Sequence, residues 1–248
     1  MVLESLKDAD ISVRKRALGL IFVLTDKNNA EVLVGELLVI LATAESAIKE
    51  EMVVKIAILA ERYHQNLTWY VDTMVKVILV AGDFVAEAVW HRVVQIVTNH
   101  QEVHDYAAEK MLESVQSKWC HETCVTLAGY LLGEIGVNIC EKPGMGGYDQ
   151  FSALHQHFPM VSTKSQAILL TTYMKLLNLY PETCGDITNV FEKHSTSSQL
   201  ELQQRACEYL ALPGVGTQIM EKVLNSMPPY SKERESALEH IEKGDHTT

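Results

Sequence analysis

The residues with the most reactive side chains at close spacing are Cys120, His121 and Cys124, which fall within five consecutive positions. On a helix, Cys120 and Cys124 are one turn apart and could supply two thiolate ligands to zinc, with His121 about a quarter-circle away. A zinc site needs further ligands, and no second Cys/His pair stands at the spacing of a zinc finger. His155 and His157 would point in opposite directions on a helix. The pattern therefore favours a polar helix start with buried thiols over a metal site.

A glycine-rich stretch is the second candidate for chemistry. Residues 144–147 (Gly-Met-Gly-Gly) superficially suggest a phosphate-binding loop. The Lys-Ser/Thr pair that should follow is missing and no strand precedes the stretch, so the backbone cradle and the metal ligand are both absent. These residues are therefore predicted to form a flexible loop between helices.

Charged and aromatic clusters have structural explanations. Neighbouring carboxylates do not converge on a helix, and three basic residues hardly outweigh the surrounding acids, so solvated helix faces are favoured. The tryptophans lie within helical patterns and are predicted to pack in the core or between helices. The residues considered are Arg14, Lys15 and Arg16, Glu50 and Glu51, Glu233 and Glu235, and Trp69, Trp90 and Trp119. The sequence therefore predicts no catalytic, cofactor-binding or metal-ligating residue, and it leaves any subunit interface unassigned.

Helical periodicity dominates the chain. Apolar residues recur at three- and four-residue intervals over residues 11–24, 47–63, 85–97 and 200–212, and no comparable run of strict alternation appears. In residues 11–24 the face predicted to point inward consists of Val13, Ala17, Leu20, Ile21 and Leu24. The expectation is an all-α fold of about a dozen antiparallel helices in pairs.

Cap residues and helix spacing indicate repeated helical hairpins. Asp10 is a predicted N-cap, and residues 198–201 (Ser-Gln-Leu-Glu) form a predicted capping box. The first helices of successive pairs start near residues 10, 45, 83, 120, 162 and 198, roughly 35 to 42 residues apart. That spacing is typical of HEAT or armadillo hairpins, which stack into a right-handed α-α superhelix, or solenoid.

Composition excludes several classes of function. The chain has 248 residues, of which 47% are hydrophobic, and a formal charge of −11, so binding to nucleic acid or directly to anionic lipid is not expected. Five cysteines form an odd set and are most simply buried thiols in a reducing compartment. The first residues lack the apolar run of a signal peptide, and no apolar stretch is long enough to span a bilayer. We therefore expect a soluble, cytoplasmic protein.

Several longer phrases are more specific than periodicity. The chain resembles the alpha-adaptins, large subunits of the plasma-membrane clathrin adaptor complex, from about residue 3 to residue 236. Residues 201–206 (Glu-Leu-Gln-Gln-Arg-Ala) also occur in gamma-type adaptins, whereas residues 57–63 and 69–73 favour the alpha type. The phrases are residues 46–51 (Ser-Ala-Ile-Lys-Glu-Glu), 55–63 (Lys-Ile-Ala-Ile-Leu-Ala-Glu-Arg-Tyr), 68–73 (Thr-Trp-Tyr-Val-Asp-Thr), 89–97 (Val-Trp-His-Arg-Val-Val-Gln-Ile-Val), 129–134 (Gly-Tyr-Leu-Leu-Gly-Glu), 200–206 (Leu-Glu-Leu-Gln-Gln-Arg-Ala) and 227–229 (Met-Pro-Pro) with 233–236 (Glu-Arg-Glu-Ser).

The resemblance implies a non-enzymatic scaffold. The trunk of the family is a curved helical solenoid that cradles a small sigma subunit beside a beta-type large subunit and a medium mu subunit. The whole complex links cargo and membrane to clathrin in endocytosis, on the cytoplasmic face of the plasma membrane at coated pits. This chain is similar to the second half of that trunk, which implies no lipid-binding or cargo-binding residue here.

The sequence leaves the domain boundary and the alternatives to the adaptin assignment as predictions. The trunk solenoid is predicted over residues 1–228, followed by an exit segment over residues 229–248 with a short helix around residues 231–243. The alternatives are the trunk of another adaptin or coat-type large subunit, and an unrelated HEAT-repeat scaffold of nuclear transport or phosphatase assembly. A metalloenzyme built on Cys120, His121 and Cys124 is a third and weaker alternative.

Overall fold

The chain is helical throughout the part that a computed structural model describes, which is residues 2–231 and Leu238. Over these residues it forms thirteen α-helices and no β-strand, which confirms the all-α prediction. Contacts divide the chain into a first unit of residues 1–99 and 230–248 and a second unit of residues 100–229. The boundary predicted at residue 228 stays a prediction. Most of the short helix predicted around residues 231–243 lies outside the described residues.

The first unit is built from six helices before the chain leaves it. The largest core helix is α4, in which nine residues are buried, and it packs against α2, α3 and α5. The helices are α1 (Val2–Ser5), α2 (Ile11–Leu24), α3 (Ala30–Thr43), α4 (Ser46–Tyr63), α5 (Leu67–Ala81) and α6 (Glu87–Asn99).

The second unit contains seven helices, with α8 and α10 at its centre. Helix α8 packs between α7 and α10, and α10 also packs against α11 and α12. The helices are α7 (His104–Gln116), α8 (Glu122–Ile135), α9 (Gly147–His155), α10 (Thr163–Leu179), α11 (Cys184–His194), α12 (Leu200–Ala211) and α13 (Thr217–Leu224). Among the described residues of both units, none of the helices has the length and apolar character required to cross a bilayer.

The predicted hairpin spacing is confirmed. The first helices of the pairs begin one to four residues after the predicted starts. Local capping explains several of these boundaries, because a side-chain oxygen satisfies a backbone N–H that has no partner inside the helix. Asp10 Oδ1 accepts from Ser12 N at 2.7 Å, and Asn66 Oδ1 accepts from Thr68 N at 2.9 Å.

The capping box predicted at residues 198–201 is wrong. Helix α12 begins at Leu200, which makes Gln199 the N-cap residue, and its side chain caps nothing. Ser197 Oγ instead accepts from Gln199 N at 3.1 Å and closes a turn before the helix. Glu201 is therefore left to form an ion pair with Arg205 one turn further on, with Arg205 Nε 2.7 Å from Glu201 Oε1.

Side chains join successive hairpins within each unit. In the first unit, Arg14 Nη2 of α2 donates to Glu45 Oε2 at the start of α4 at 2.9 Å, and Arg92 Nη2 of α6 donates to Glu61 Oε1 of α4 at 2.7 Å. The hydrogen bond from Arg14, together with its charge, lowers the pKa of Glu45. These links fix the register between hairpins that are 31 residues apart in sequence.

Small residues allow α8 and α10 to approach closely in the second unit. A Cβ at Gly133 would lie 3.1 Å from Thr172 Oγ1, and Thr172 Oγ1 donates to the carbonyl oxygen of Gly129 at 2.8 Å. A larger side chain at either glycine would separate the two helices at the centre of the unit.

Candidate partner-binding surface

The cysteine pair lies at the start of α8 and not within one helical turn. The helix begins at Glu122 with His121 as N-cap residue, so Cys120 precedes it, and the predicted helical spacing is wrong. Cys124 is buried and Cys120 is half-buried. A hydrogen bond between the thiols lowers the pKa of Cys120 and, with burial, raises the pKa of Cys124. Within the described residues, no three His, Cys, Asp or Glu side chains converge as metal ligands would.

The thiols differ in exposure, which gives a direct test of the fold. The expectation that all five are buried is wrong, because Cys184 and Cys207 are exposed. We expect an alkylating reagent at neutral pH to modify Cys184 and Cys207 in the folded chain and Cys124 only after unfolding, because the thiolate must be accessible to react. Mass spectrometry of labelled peptides, with and without denaturant, measures this order. Rapid modification of Cys124 in the folded chain would contradict it.

His155 and His157 contact different parts of the second unit. Helix α9 ends at His155, whereas His157 lies in the following turn and is 1% exposed. His157 Nε2 donates to the carbonyl oxygen of Val115 at 2.8 Å, which ties this turn to the end of α7. His155 stacks on Phe151 with ring centroids 5.1 Å apart. The two rings therefore share no ligand.

The glycine-rich stretch is an ordered connection. Gly144 has a φ of +75°, a conformation that favours glycine, and Gly147 begins α9. A Cβ at Gly147 would lie 2.2 Å from Cγ of Tyr180, so only glycine fits beneath that ring. The fully buried Gln150 holds the stretch, because its Nε2 donates to the carbonyl oxygens of Gly136 and Met145, each at 2.9 Å. The loop is built by packing, and Gln150 is a residue that sequence reasoning missed.

The tryptophans only partly follow the prediction. Trp69 and Trp90 are half-buried, but Trp119 is 81% exposed in the connection between α7 and α8, so its predicted core position is wrong. The connection contains Ser117, whose Oγ donates to the carbonyl oxygen of Trp119 at 3.2 Å. The indole therefore lies at the surface, in the connection between the two helices.

An exposed apolar stripe runs along α2, where the sequence predicts a buried face. Ala17 and Ile21 are buried as predicted, but Val13, Leu20 and Leu24 are 38%, 46% and 55% exposed. Helix α4 covers one side of α2, and α1 has only four residues, so neither covers the whole stripe. We call Val13, Leu20 and Leu24 the α2 stripe.

A second stripe lies on α3. Val32 and Val39 are 69% and 70% exposed, although they stand two helical turns apart on one face of a helix whose other face is buried. Large apolar side chains that recur on the exposed face of such a helix can mark a contact with a further element. That composition is the sequence signal that could have identified this surface. We call Val32 and Val39 the α3 stripe.

Charged side chains border both stripes, and on α3 the exposed Glu36 lies between Val32 and Val39 on the same face. Arg14 is engaged with Glu45, while Lys15 and Arg16 are exposed on α2, as expected for a solvated face. Arg16 also borders a shallow cavity of about 270 Å³ between α1 and α2, together with Val13 and Leu20. Exposed apolar side chains that recur along one helix face make α2 and α3 the candidate contact surfaces of the first unit.

Comparison with known proteins identifies the family of the chain. The sequence profile of the adaptin N terminal region matches residues 1–214. The chain is 45% identical over 229 residues to AP-2 complex subunit alpha-2 of Dictyostelium discoideum, covering 92% of this chain and 23% of the relative. It is 42% identical over 250 residues to AP-2 complex subunit alpha-2 of Arabidopsis thaliana, covering 99% of this chain and 25% of the relative.

A relative of another type is more distant. AP-1 complex subunit gamma-1 of Arabidopsis thaliana is 32% identical over 240 residues, covering 92% of this chain and 27% of the relative. The chain thus spans about a quarter of the length of the relatives it matches. The higher identity to the alpha subunits agrees with the phrases at residues 57–63 and 69–73. The chain belongs to the adaptin family and is most similar, among these relatives, to AP-2 alpha subunits.

Proposed function

We propose that this chain is part of a non-enzymatic scaffold, the large subunit of a clathrin adaptor complex that acts in endocytosis and vesicular protein transport. Its partners are the sigma, beta and mu chains of the complex, and through the whole complex it acts at coated pits on the cytoplasmic face of the plasma membrane. The observation that carries the proposal is the identity of 41–45% to AP-2 alpha subunits over nearly the whole chain.

The surface of the first unit supports a binding role. A helical hairpin presents ordinary polar residues to water, whereas the α3 stripe keeps two valines about 70% exposed on a helix with a fully apolar opposite face. Covering such residues would stabilise an assembly by roughly 25 cal/mol for each Å² of apolar area removed from water. We propose that the α3 stripe contacts another adaptor chain.

Co-purification tests the proposal. The full-length protein that contains this chain would be tagged and expressed with the beta, mu and sigma chains, and the recovered chains quantified by mass spectrometry. We expect all three partners at near-equal amounts with the unaltered protein. The double substitution Val32→Asp/Val39→Asp should lower recovery of at least one partner about tenfold, because two charges would be desolvated at the contact.

The matched control is Val215→Asp/Val223→Asp, which places the same charges on valines of the second unit that are 53% and 56% exposed. It should leave recovery of all partners unchanged. Circular dichroism of the double variant shows whether the protein still folds. If it does not fold, another helical hairpin of the longer chain covers the α3 stripe, and the stripe is not a contact with a partner chain. Recovery of importin or phosphatase subunits in place of adaptor chains would favour the unrelated HEAT-repeat scaffold.

A further inference from the structure

A groove of about 600 Å³ lies in the second unit between α9, the turn Phe158–Met160 and α11. Its size falls in the range of sites that hold a few side chains of a ligand. The proposed adaptor role makes no use of this groove. The lining includes Tyr148, Phe151, His155, Phe158, Lys193 and His194.

The floor of the groove is aromatic and orients one histidine. Phe151 and Phe158 are 5% and 4% exposed, and the ring of His155 lies between them, with centroids 5.1 Å and 5.6 Å away. Tyr173 OH lies 3.4 Å from His155 Nδ1 and can donate to it, which leaves the proton of the neutral ring on Nε2. In the part of the chain that the structure describes, Nε2 has no hydrogen-bond partner. The floor therefore offers an apolar surface beside an available N–H donor.

The rim of the groove carries three basic side chains although the chain is acidic overall. Lys193 and His194 end α11 beside His155, and the acidic group that faces them is Asp186 at the start of the same helix. Burial first, and then the charges of Lys193 and His194, lower the pKa of His155, whereas Asp186 raises it. Burial and Lys193 likewise lower the pKa of His194. Three basic groups thus face one carboxylate, in a chain whose formal charge is −11.

A purely structural explanation accounts for part of this arrangement. Basic side chains in the last turn of a helix interact favourably with its dipole, which explains Lys193 and His194 at the end of α11. It does not explain His155, which comes from α9 and brings a further titratable nitrogen beside Lys193 and His194. An anion bound between the three groups would favour the protonated form of both histidines and offset their repulsion with Lys193.

We propose that this groove binds an acidic peptide segment that packs one aromatic side chain against Tyr148, over the floor formed by Phe151 and Phe158, and places a flanking carboxylate against Lys193, His194 and His155. The aromatic floor supplies the apolar contact, and Nε2 of His155 and Nζ of Lys193 donate to the carboxylate. Binding takes up protons, because a bound carboxylate raises the pKa of both histidines. Affinity therefore increases as the pH falls through the histidine range.

Four peptides and nuclear magnetic resonance of the histidine rings test the proposal in the 248-residue chain. The first probe is the acidic aromatic peptide acetyl-Glu-Glu-Phe-Glu-Glu-amide. In two further peptides every Glu is replaced by Gln or by Lys, and in the fourth the Phe of the acidic peptide is replaced by Gly. We expect the acidic aromatic peptide to bind at least about tenfold more tightly than each of the other three at pH 5.5, and about tenfold more tightly at pH 5.5 than at pH 7.5. The ring resonances of His155 and His194 should shift, and their pKa values should rise on binding.

Substitutions separate the groove from the general charge of the chain. Lys193→Glu should weaken binding of the acidic peptide about tenfold, whereas Lys118→Glu, an equal charge change at an exposed residue outside the groove, should change it less than about twofold. Lys193→Gln should fall between them. Equal effects of the glutamate substitutions, equal binding of the acidic and Gln-containing peptides, or no saturable binding would overturn the proposal.

Discussion

Replacing Lys175 by methionine should lower the free energy of unfolding of the chain by about 3 kcal/mol at neutral pH. Lys175 on α10 forms an ion pair with Glu134 on α8, and the two side chains are only 10% and 9% exposed. Glu134 Oε2 also accepts from the backbone N–H of Met227 at 2.9 Å. Removing the ammonium group would leave a buried carboxylate with one remaining neutral donor, and that desolvation is the source of the loss.

Urea unfolding followed by circular dichroism measures the effect, with Lys142→Met as the matched control. Lys142 forms an ion pair with Glu109 in the same unit, but the two side chains are 48% and 27% exposed, so we expect the control to lose less than about 1 kcal/mol. In the double variant Lys175→Met/Glu134→Gln, the neutral amide can still accept from Met227 and carries no charge. It should recover most of the loss. Equal losses for Lys175→Met and Lys142→Met would contradict the explanation.

The helices could be predicted because their signals are local. Asp10 begins α2 through one hydrogen bond to a residue two positions away, and the apolar period needs no knowledge of neighbouring helices. The hairpin spacing follows from the same periodicity, repeated along the chain. The family assignment rests on shared phrases such as residues 57–63, and these carry information that no physical pattern in a single sequence supplies.

Burial of a particular face could not be predicted in the same way. Val13, Leu20 and Leu24 satisfy the helical period as well as Ile21 does, yet of these four only Ile21 is buried. Whether a stripe is covered depends on an element that another part of the chain, or another chain, must provide. The exposure of Trp119 could not be predicted either, because its apolar side chain fits a helical pattern although the residue lies in the connection after α7.

The groove and the buried amide depend on long-range contacts. His155 and Lys193 come together because α9 and α11 pack around α10, and nothing near either residue in sequence indicates this meeting. Gln150 looks like an ordinary polar residue of α9, and only the folded connection before the helix reveals the two carbonyl oxygens that it binds. In a solenoid, the regular helices are therefore readable from sequence, whereas sites between them require the structure.

Gln150→Glu is the second change for which we expect a large effect, a loss of about 3 kcal/mol in the free energy of unfolding at pH 7.5. The substitution keeps the shape of the side chain but replaces the donating NH₂ by an oxygen. Three acceptors would then face one another at a position that is fully buried, where Gly136 and Met145 contribute their carbonyl oxygens. The connection between α8 and α9 would lose both of its hydrogen bonds to this side chain.

The loss should depend on pH in a defined direction. Burial and the two carbonyl oxygens would raise the folded-state pKa of the introduced carboxyl above its unfolded value of about 4.3. Relative to the unaltered chain, the loss is therefore smallest below about pH 4.3, where the carboxylic acid can donate one hydrogen bond, and it grows as the pH rises. Urea unfolding at a series of pH values measures this difference.

The control for this prediction is Gln156→Glu. Gln156 Nε2 also donates to two carbonyl oxygens, those of Val115 at 2.7 Å and Ala153 at 3.2 Å, but the residue is exposed. Water can solvate the carboxylate introduced there, so the loss should stay below about 1 kcal/mol and vary little with pH. If the two variants lost equal stability at every pH, burial of the amide at Gln150 could not be what orders the connection between α8 and α9.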